Sequence, residues 1–337
     1  MDNFFKNLFA GLANLFNPPS SSNKPPEAQP AAVIEPAVIV SPRVLVVVID
    51  PIIDPATGEK LTQRMKWNRP EDLISGFIAD VLEISGGLAR YQIVQRIEVN
   101  DFPVMTDGFQ YAPQAYLSVL KGTNPAHKPD TVNYQTFLDR HKILQLVSTN
   151  QIDEVWVFGF PYAGFYESTM GGVGAFFCNS EPLKNTSSCN RRFVIMGFSN
   201  ERGVGEMLHS FGHRAESIMQ QVYLRVAASA NLWQRFTRYD KTSPGQAHVG
   251  TIHFPPNGER DYDYNNARIV SSFCDDWYNF PNFKGTLKQV NNTEWGGGEI
   301  RVFTKWWFKH LPKVGGRTNG IANNWWQYIL DPNRVTV

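Results

Sequence analysis

The side chains best suited to chemistry lie on one stretch of the chain, residues 201–221. Within it, Glu206, His209, His213 and Glu216 are spaced by three, four and three residues. Residues three or four apart share a face of an α-helix, so these side chains are expected on one stripe. Two His one turn apart can bind one divalent metal, because their ring nitrogens reach a common point. The spacing therefore predicts a metal site, with zinc as the expected ion.

A metal site needs ligands beyond one pair of His. Glu216 is the candidate third ligand on the helix itself, and His248 and His253 are the candidates from the later segment 247–254. Glu206 is the candidate general base, or a group that orients a ligand. The first hypothesis is therefore a metal-dependent hydrolase that acts on an extracellular polymer, either a peptide or a glycan.

The spacing of His209 and His213 resembles the zinc helix of zincin-type metallopeptidases, but only locally. Those enzymes carry H-E-x-x-H, with the general-base Glu directly after the first His. Ser210 occupies that position here, so the resemblance stops short of the catalytic residue. Asp261, Asp263 and Asn265 resemble the start of a calcium loop, but Ala267 and Ser272 occupy positions where later EF-hand features would be expected. The alternative interpretation of the helix is a structural polar stripe satisfied by backbone groups and by Arg192, Arg202 and Arg214.

These side chains must be positioned by the fold, which the sequence predicts to be α/β. Apolar, β-branched runs are typical of strands buried on both faces of a sheet. Such runs alternate with segments of helical spacing, which predicts a largely parallel sheet with flanking helices. The predicted strands cover residues 43–50, 91–99, 154–160 and 192–198, and the predicted helices cover 70–84, 134–149 and the stretch after 201.

In parallel sheets, ligands gather where the carboxyl ends of the strands open. The Gly-rich loop 161–175 is the candidate pocket wall there. A metal-free glycosidase-like enzyme, the second hypothesis, would use two carboxylates as acid and base, drawn from Asp50, Glu167, Glu201 and Glu206. The candidate substrate-binding residues are Tyr162, Tyr166, Arg202 and Trp277, the last because Trp beside carboxylates suits a sugar ring. No Gly-rich phosphate motif and no G-x-S-x-G occurs, so neither a nucleotide cofactor nor a nucleophile-elbow serine hydrolase is predicted.

The composition divides the chain into four predicted regions. Residues 1–16 form an amphipathic helix expected to sort the protein or to dock it on a carrier or membrane surface, and residues 17–42 form a Pro/Ser-rich linker. Residues 43–239 form the α/β core, and residues 240–337 form a loop-rich, Trp-containing region packed on it in the same globular unit. The third hypothesis is a non-enzymatic binding or effector cargo protein that docks through its first helix.

Charge and cysteine content bear on partners and compartment. A formal net charge of +1 over 337 residues argues against a nucleic-acid partner, because phosphate binding needs clustered positive charge. Cys178 and Cys189 flank a polar loop, which favours a disulfide in an oxidising compartment, the alternative being two unrelated thiols. Sequons at Asn185 and Asn291 are compatible with export, although residues 1–16 lack the features of a standard signal peptide.

Several longer segments are distinctive: EVWVFGFPYAGFYES, RRFVIMGFSNERGVGEML, FGHRAESIM, HFPPN, DYDYNN and NNWWQYILDPN. Together they resemble a family of microbial α/β proteins, many of them exported, to which no activity is assigned. The resemblance covers most of residues 43–337 and leaves out residues 1–16. It implies an exported α/β protein and adds no mechanism.

Overall fold

The structure, a computed structural model, describes residues 35–336. The predicted helix 1–16 and most of the predicted linker 17–42 lie outside the described residues. Val40, near the end of that linker, forms a parallel bridge to Ala89, so this part of the linker joins the folded body. Within residues 35–336, no helix combines the length and apolar composition that crossing a membrane requires.

Strands and helices alternate through the first half of the described chain, and shorter elements follow. The strands are β1 (Arg43–Ile49), β2 (Ile52–Asp54), β3 (Glu59–Lys60), β4 (Gln92–Val99), β5 (Glu154–Gly159), β6 (Ser168–Gly171), β7 (Phe193–Ser199), β8 (Val270–Ser272), β9 (Lys288–Val290), β10 (Lys313–Thr318) and β11 (Ile321–Asn324). The α-helices are α1 (Leu61–Met65), α2 (Pro70–Ile84), α3 (Pro113–Leu120), α4 (Tyr134–Arg140), α5 (Ile143–Ser148), α6 (Val204–Val222), α7 (Leu232–Phe236), α8 (Ile300–Lys309) and α9 (Trp326–Leu330). Short 3-10 helices cover Ala228–Ala230, Cys274–Asn279, Asn292–Trp295 and Pro332–Arg334.

Five strands form the main sheet, in the order β4-β1-β5-β7-β6. β1 pairs in parallel with both β4 and β5, and β5 pairs in parallel with β7. Only β6, at one edge of this sheet, runs antiparallel to its neighbour. The prediction of an α/β fold with a largely parallel sheet is therefore confirmed.

Two elements differ from the prediction. The segment 161–175, expected as a loop, contains the edge strand β6. Its polar Ser168 is buried, and the burial is compensated because the hydroxyl donates to the carbonyl oxygen of Cys178 at 3.1 Å. The predicted helix 134–149 is two helices, α4 and α5, because Lys142 between them adopts a left-handed φ of 53°.

The side chains of the sheet alternate between two cores, one on each face. One core lies under α2, α6 and the C-terminal region, and the other lies under α3, α4 and α5. In β1, the first core receives Val44, Val46 and Val48, and the second receives Leu45, Val47 and Ile49. Burying a side chain of this size contributes about 1.5–3 kcal/mol to folding, so both faces hold the layers together.

The region after residue 240 is held by buried aromatic rings rather than by long elements. The fully buried indoles are Trp295, Trp307, Trp325 and Trp326. Trp277 belongs to this packing, since its ring centroid lies 5.0 Å from that of Phe236 and its indole N–H donates to His248 Nδ1 at 3.2 Å. The predicted substrate-binding role of Trp277 is therefore corrected, because its side chain is enclosed in the core.

A buried ion pair fixes α6 to the sheet. The Arg214 guanidinium on α6 lies 2.8 Å from a carboxylate oxygen of Glu154 on β5, and both side chains are shielded from solvent. Arg214 Nε also donates to the carbonyl oxygen of Ile329 at 3.1 Å, and Trp156 donates to the other Glu154 oxygen at 2.6 Å. Burial alone would lower the pKa of Arg214, but the charge of Glu154 outweighs it and raises that pKa. Arg214 is therefore held in its ionised form.

The predicted disulfide between Cys178 and Cys189 is wrong. Both are free thiols, and they belong to different cores, Cys178 to the one that contains α6 and Cys189 to the opposite one. The Cys178 thiol donates to the hydroxyl of Ser168 at 3.7 Å, and the Cys189 thiol donates to the carbonyl oxygen of Arg191 at 3.3 Å. Sequence spacing sets the length of the connecting loop, but it does not set the face of the sheet to which each sulfur points.

Removing one partner of the buried ion pair should destabilise the fold strongly. We expect Arg214→Met to lower the free energy of unfolding by about 3–5 kcal/mol, because Glu154 is left as an uncompensated buried charge. The double variant Arg214→Met/Glu154→Gln should recover most of that loss. Urea unfolding measures both, with Arg140→Met as the exposed control. A loss below about 1 kcal/mol in the single variant, the size expected of a surface pair, would contradict the account.

Candidate metal centre

Helix α6 positions the first two imidazoles of the site. It begins at Val204, where the Glu206 carboxylate accepts a hydrogen bond from the backbone N–H of Gly203 at 3.2 Å. Because this bond satisfies a free N–H of the first turn, Glu206 acts here as a helix cap. His209 and His213 follow one turn apart and share a face of the helix, as predicted, and that face is buried.

The third imidazole, His253, comes from the segment between α7 and β8. The Nε2 atom of His213 lies 3.0 Å from that of His209 and 3.0 Å from that of His253, and the remaining pair is 3.3 Å apart. Zinc bound by three His at about 2.0–2.1 Å holds its nitrogens about 3.3 Å apart in tetrahedral geometry. The three rings can therefore hold one metal ion.

The other nitrogen of each ring faces a group that can accept its proton. Tyr264 donates its hydroxyl proton to the carbonyl oxygen of Ile252 at 2.7 Å, which leaves the hydroxyl oxygen to accept. The Nδ1 contacts are His213 with Glu216 at 3.0 Å, His253 with Asp261 at 3.4 Å, and His209 with the Tyr264 hydroxyl at 3.5 Å. Metal-binding His residues have this arrangement, since the outer partner sets the tautomer and leaves the Nε2 lone pair for the ion.

Backbone groups tie the segment carrying His253 to α6. The N–H of Ile252 donates to Glu216 Oε1 at 2.8 Å, on the same carboxylate that orients His213. At Gly212 the approach is so close that an added Cβ would lie 2.5 Å from the Ile252 side chain. Glu216, expected as a candidate ligand, is thus placed behind the His ligands, where it joins helix and loop.

Burial and mutual repulsion control the charge of the group. Burial, with the charges of His213 and His253, lowers the pKa of His209 to about 2. Burial and His213 also lower the pKa of His253. Burial opposes protonation of His213 as well, but the hydrogen bond and charge of Glu216 outweigh it and raise that pKa. When the rings are neutral and each Nδ1 carries the proton, the lone pairs of the three Nε2 atoms point at one another and repel. A cation bound among them removes this repulsion.

An exposed ring lies beside the group. The Tyr262 ring is 53% exposed and lies 4.4 Å from the ring centroid of His253 and 5.3 Å from that of His209. The negative charge of Glu167 raises the pKa of His213, and the exposed Arg202 contributes to the low pKa of His209. The charges of Glu167 and Arg202, both predicted as site residues, therefore act on this group.

The structure places His248 away from the metal group. Arg235 Nε lies 3.3 Å from its Nε2 and Trp277 Nε1 lies 3.2 Å from its Nδ1, and the neutral ring can accept from only one of them. Burial, with the charges of Arg235 and Arg238, lowers its pKa to about 3. Both ring nitrogens face donors, so the prediction of His248 as a ligand is corrected.

The remaining predicted site residues are dispersed. Glu201 is exposed just beyond β7. Tyr162 and Tyr166 are about half exposed, and Tyr166 stacks on Tyr134 with a centroid distance of 5.7 Å. Two of the arginines expected to pair with the polar stripe have other partners. Arg214 faces Glu154, and Arg192 donates to the carbonyl oxygens of Pro332 and Val335.

Sequence reasoning missed the outer partners Asp261 and Tyr264 and the neighbouring ring of Tyr262. The sequence does carry one hint of their role, because the D-Y-D-Y segment follows His253 after only a few residues. On sequence alone, that segment resembles only the start of a calcium loop. Asp263, the other carboxylate of that segment, accepts from the backbone N–H of Glu259 at 3.0 Å and so supports the turn itself.

A surface cleft of about 630 Å³ lies beyond the carboxyl end of β4, where ligands often bind in α/β folds. None of the three His lines it; its walls include Asp101, Gln110 and Arg140. We place the candidate site at the imidazole group rather than at this cleft, because the cleft brings together no comparable set of ligand atoms.

Comparison with known proteins adds no relative. No family model, curated protein or solved structure matches the chain. The resemblance to exported microbial proteins, and the expectation of export that it implies, remain predictions.

An added methyl group at Gly212 should weaken metal binding without weakening the helix. Gly212→Ala improves helix propensity by up to about 1 kcal/mol, yet its Cβ must push away Ile252 and the ligand His253 beside it. We expect the zinc dissociation constant to rise by about 10–100-fold, the effect typical of a displaced outer partner. Competition with a chromogenic chelator measures it. Ser210→Ala, on the same helix, is the control, and equal affinity in both variants would contradict the account.

Proposed function

We propose that the chain is a metal-dependent hydrolase in which His209, His213 and His253 bind a zinc ion. The observation that carries the proposal is the convergence of three Nε2 atoms within 3.3 Å of one another, each ring being oriented through its Nδ1. The substrate class is an extracellular polymer, either a peptide or a glycan.

The ligand set favours zinc and a catalytic use of it. Neutral imidazole nitrogens suit zinc and neighbouring transition metals, whereas calcium and magnesium prefer oxygen ligands. Structural zinc sites use four protein ligands, and catalytic sites use three and keep a place for water. Zinc in such a site lowers the pKa of a bound water to about 7, which supplies a nucleophile at neutral pH.

We take Glu167 as the candidate group for proton transfer at this site. Its charge acts on His213 and on Tyr262, and one of its oxygens accepts from Asn179 at 2.8 Å, which fixes the carboxylate. We assign Glu167 the role of general base in place of Glu206, whose carboxylate is engaged at the start of α6. Arg202 is the candidate for binding the negative charge that develops on the substrate.

Exposed aromatic rings near the site suit a polymer substrate. Tyr262 is next to the imidazoles, and Tyr166 directly precedes Glu167 in the chain. A tyrosine ring can stack on a sugar face or on a peptide side chain, so both substrate classes follow from the same chemistry. Residues 1–16, the candidate docking helix of the cargo hypothesis, lie outside the described residues, and docking through them is compatible with hydrolysis.

The metal-free glycosidase hypothesis has less support. Asp50 accepts from both the backbone N–H and the hydroxyl of Thr62, at 3.0 and 2.6 Å. Glu206 caps α6. Two of the four candidate carboxylates thus have structural partners.

Metal content and activity should depend on the same three His. We expect His209→Ala/His213→Ala to lower bound zinc by about one equivalent and to abolish hydrolysis, because two of three ligands are removed. Elemental analysis and assays on peptide and glycan panels measure this, with His141→Ala as the matched control. An unchanged rate in the double variant, or in chelator-treated wild type, would refute a metal-dependent reaction.

Replacing the proposed base should separate metal binding from turnover. Glu167→Gln keeps the shape of the side chain but cannot accept a proton from the nucleophile, so kcat should fall by about 10²–10⁴-fold while zinc content stays unchanged. Steady-state kinetics and elemental analysis on the same sample measure both. Asn179→Ala, which loosens the carboxylate without removing it, should show a smaller fall; full activity in Glu167→Gln would contradict the assigned role.

A further inference from the structure

A second group of metal-ligating side chains lies in the aromatic C-terminal region. Cys274 opens the 3-10 helix that follows β8, and Asp275 is the next residue. His310 caps the end of α8 and approaches them from the other side. The thiol of Cys274, a carboxylate oxygen of Asp275 and a ring nitrogen of His310 all lie within 4.8 Å of one another. No residue is shared with the first group.

The His310 ring presents a lone pair to this group. Its Nδ1 lies 2.7 Å from the carbonyl oxygen of Trp306, which only accepts, so Nδ1 carries the proton and donates. In the neutral ring, Nε2 is then an acceptor. Only 1% of His310 is exposed, and within residues 35–336 its Nε2 makes no hydrogen bond. A buried acceptor without a donor is costly, which points to a ligand at this atom.

The neighbours of Nε2 are also electron donors. Asp275 Oδ1 lies 3.7 Å from His310 Nε2, and the Cys274 sulfur lies 3.7 Å from the same oxygen. The nitrogen–oxygen distance is too long for a hydrogen bond, and the sulfur–oxygen distance lies near the upper limit for one. Hydrogen bonding alone therefore does not explain why the three side chains lie together. Tetrahedral zinc with sulfur, nitrogen and oxygen ligands holds these atoms about 3.3–3.6 Å apart, close to the two distances of 3.7 Å, and the sulfur and ring nitrogen lie within 4.8 Å of each other.

The surroundings fix the carboxylate and balance its charge. Lys288 Nζ lies 3.1 Å from Asp275 Oδ2 and 2.6 Å from a carboxylate oxygen of Glu294. Lys288 thereby holds the outer oxygen of Asp275 and leaves Oδ1 toward His310. The ring of Tyr278 covers the His310 ring at a centroid distance of 4.5 Å. A thiolate, two carboxylates, one ammonium and one divalent cation sum to zero charge.

We propose that Cys274, Asp275 and His310 form a second site for a borderline-soft divalent cation of the zinc type. Thiolate and imidazole ligands select zinc or cobalt over calcium and magnesium. A thiol buried in apolar surroundings is protonated until a metal binds it. Binding forms one metal–sulfur bond and releases that proton to solvent, with no change of oxidation state. The bound ion would join the turn 274–279 to the end of α8.

Cobalt(II) distinguishes this site from the three-His site, because only a thiolate ligand gives an intense near-ultraviolet sulfur-to-cobalt charge-transfer band. We expect the full-length, reduced protein to show that band on titration with cobalt chloride. Cys274→Ser should abolish it, and Cys178→Ser, at another buried thiol, should keep it. His209→Ala/His213→Ala should also keep it, so loss of the first site leaves this readout intact. A wild-type spectrum without the band, or a band that survives Cys274→Ser, would overturn the proposal.

A second variant keeps the test valid if Cys274→Ser fails to fold. The Asp275 side chain is partly exposed, so Asp275→Asn should fold, as circular dichroism would verify. It should weaken cobalt binding in the charge-transfer titration by at least about tenfold, because the amide is a poorer ligand than the carboxylate. Unchanged affinity in Asp275→Asn would count against the site. Wild-type zinc content should exceed that of Cys274→Ser by about one equivalent, whatever the state of the three-His site.

Discussion

The buried ion pair between Arg214 and Glu154 sets the rotation of α6, and the candidate site depends on that rotation. Arg214 directs its charge into the sheet, where Glu154 is held in turn by an indole N–H. Adjacent residues on a helix point about 100° apart, so anchoring Arg214 turns the preceding His213 toward a different side. His209, one turn earlier, shares that side. An uncompensated charge would be costly in this core, which makes other rotations of the helix unfavourable.

With the helix fixed, the site is completed by a segment that arrives from elsewhere in the chain. Ile252 connects to Glu216 through its N–H and to Tyr264 through its carbonyl, and this delivers the adjacent His253 to the two helical rings. Ile252 can approach α6 this closely because Gly212 has no side chain. The same backbone groups therefore position the third ligand and orient the outer partners of the other two, which is the preorganisation a metal site needs.

Features that depend on the periodicity of the sequence could be predicted, whereas the directions in which side chains point from turns and loops could not. The parallel strands and the His pair follow from apolar runs and helical spacing. His253 and His248 were equal candidates, because both lie in one short segment and only the turn between them decides which ring meets α6. Glu206 has the spacing of a site residue but lies in the first turn, where an N–H competes for its carboxylate. Cys178 and Cys189 point to opposite faces of the sheet, a difference that loop length does not encode.

The central claim is that three imidazoles from two segments hold one metal ion. Anomalous X-ray scattering at the zinc edge, from crystals of the zinc-loaded protein, tests it most directly. The account predicts a peak about 2 Å from the Nε2 atoms of His209, His213 and His253, with each Nδ1 still facing its outer partner. Well-ordered rings with no peak among them, at zinc concentrations that saturate other sites, would contradict it.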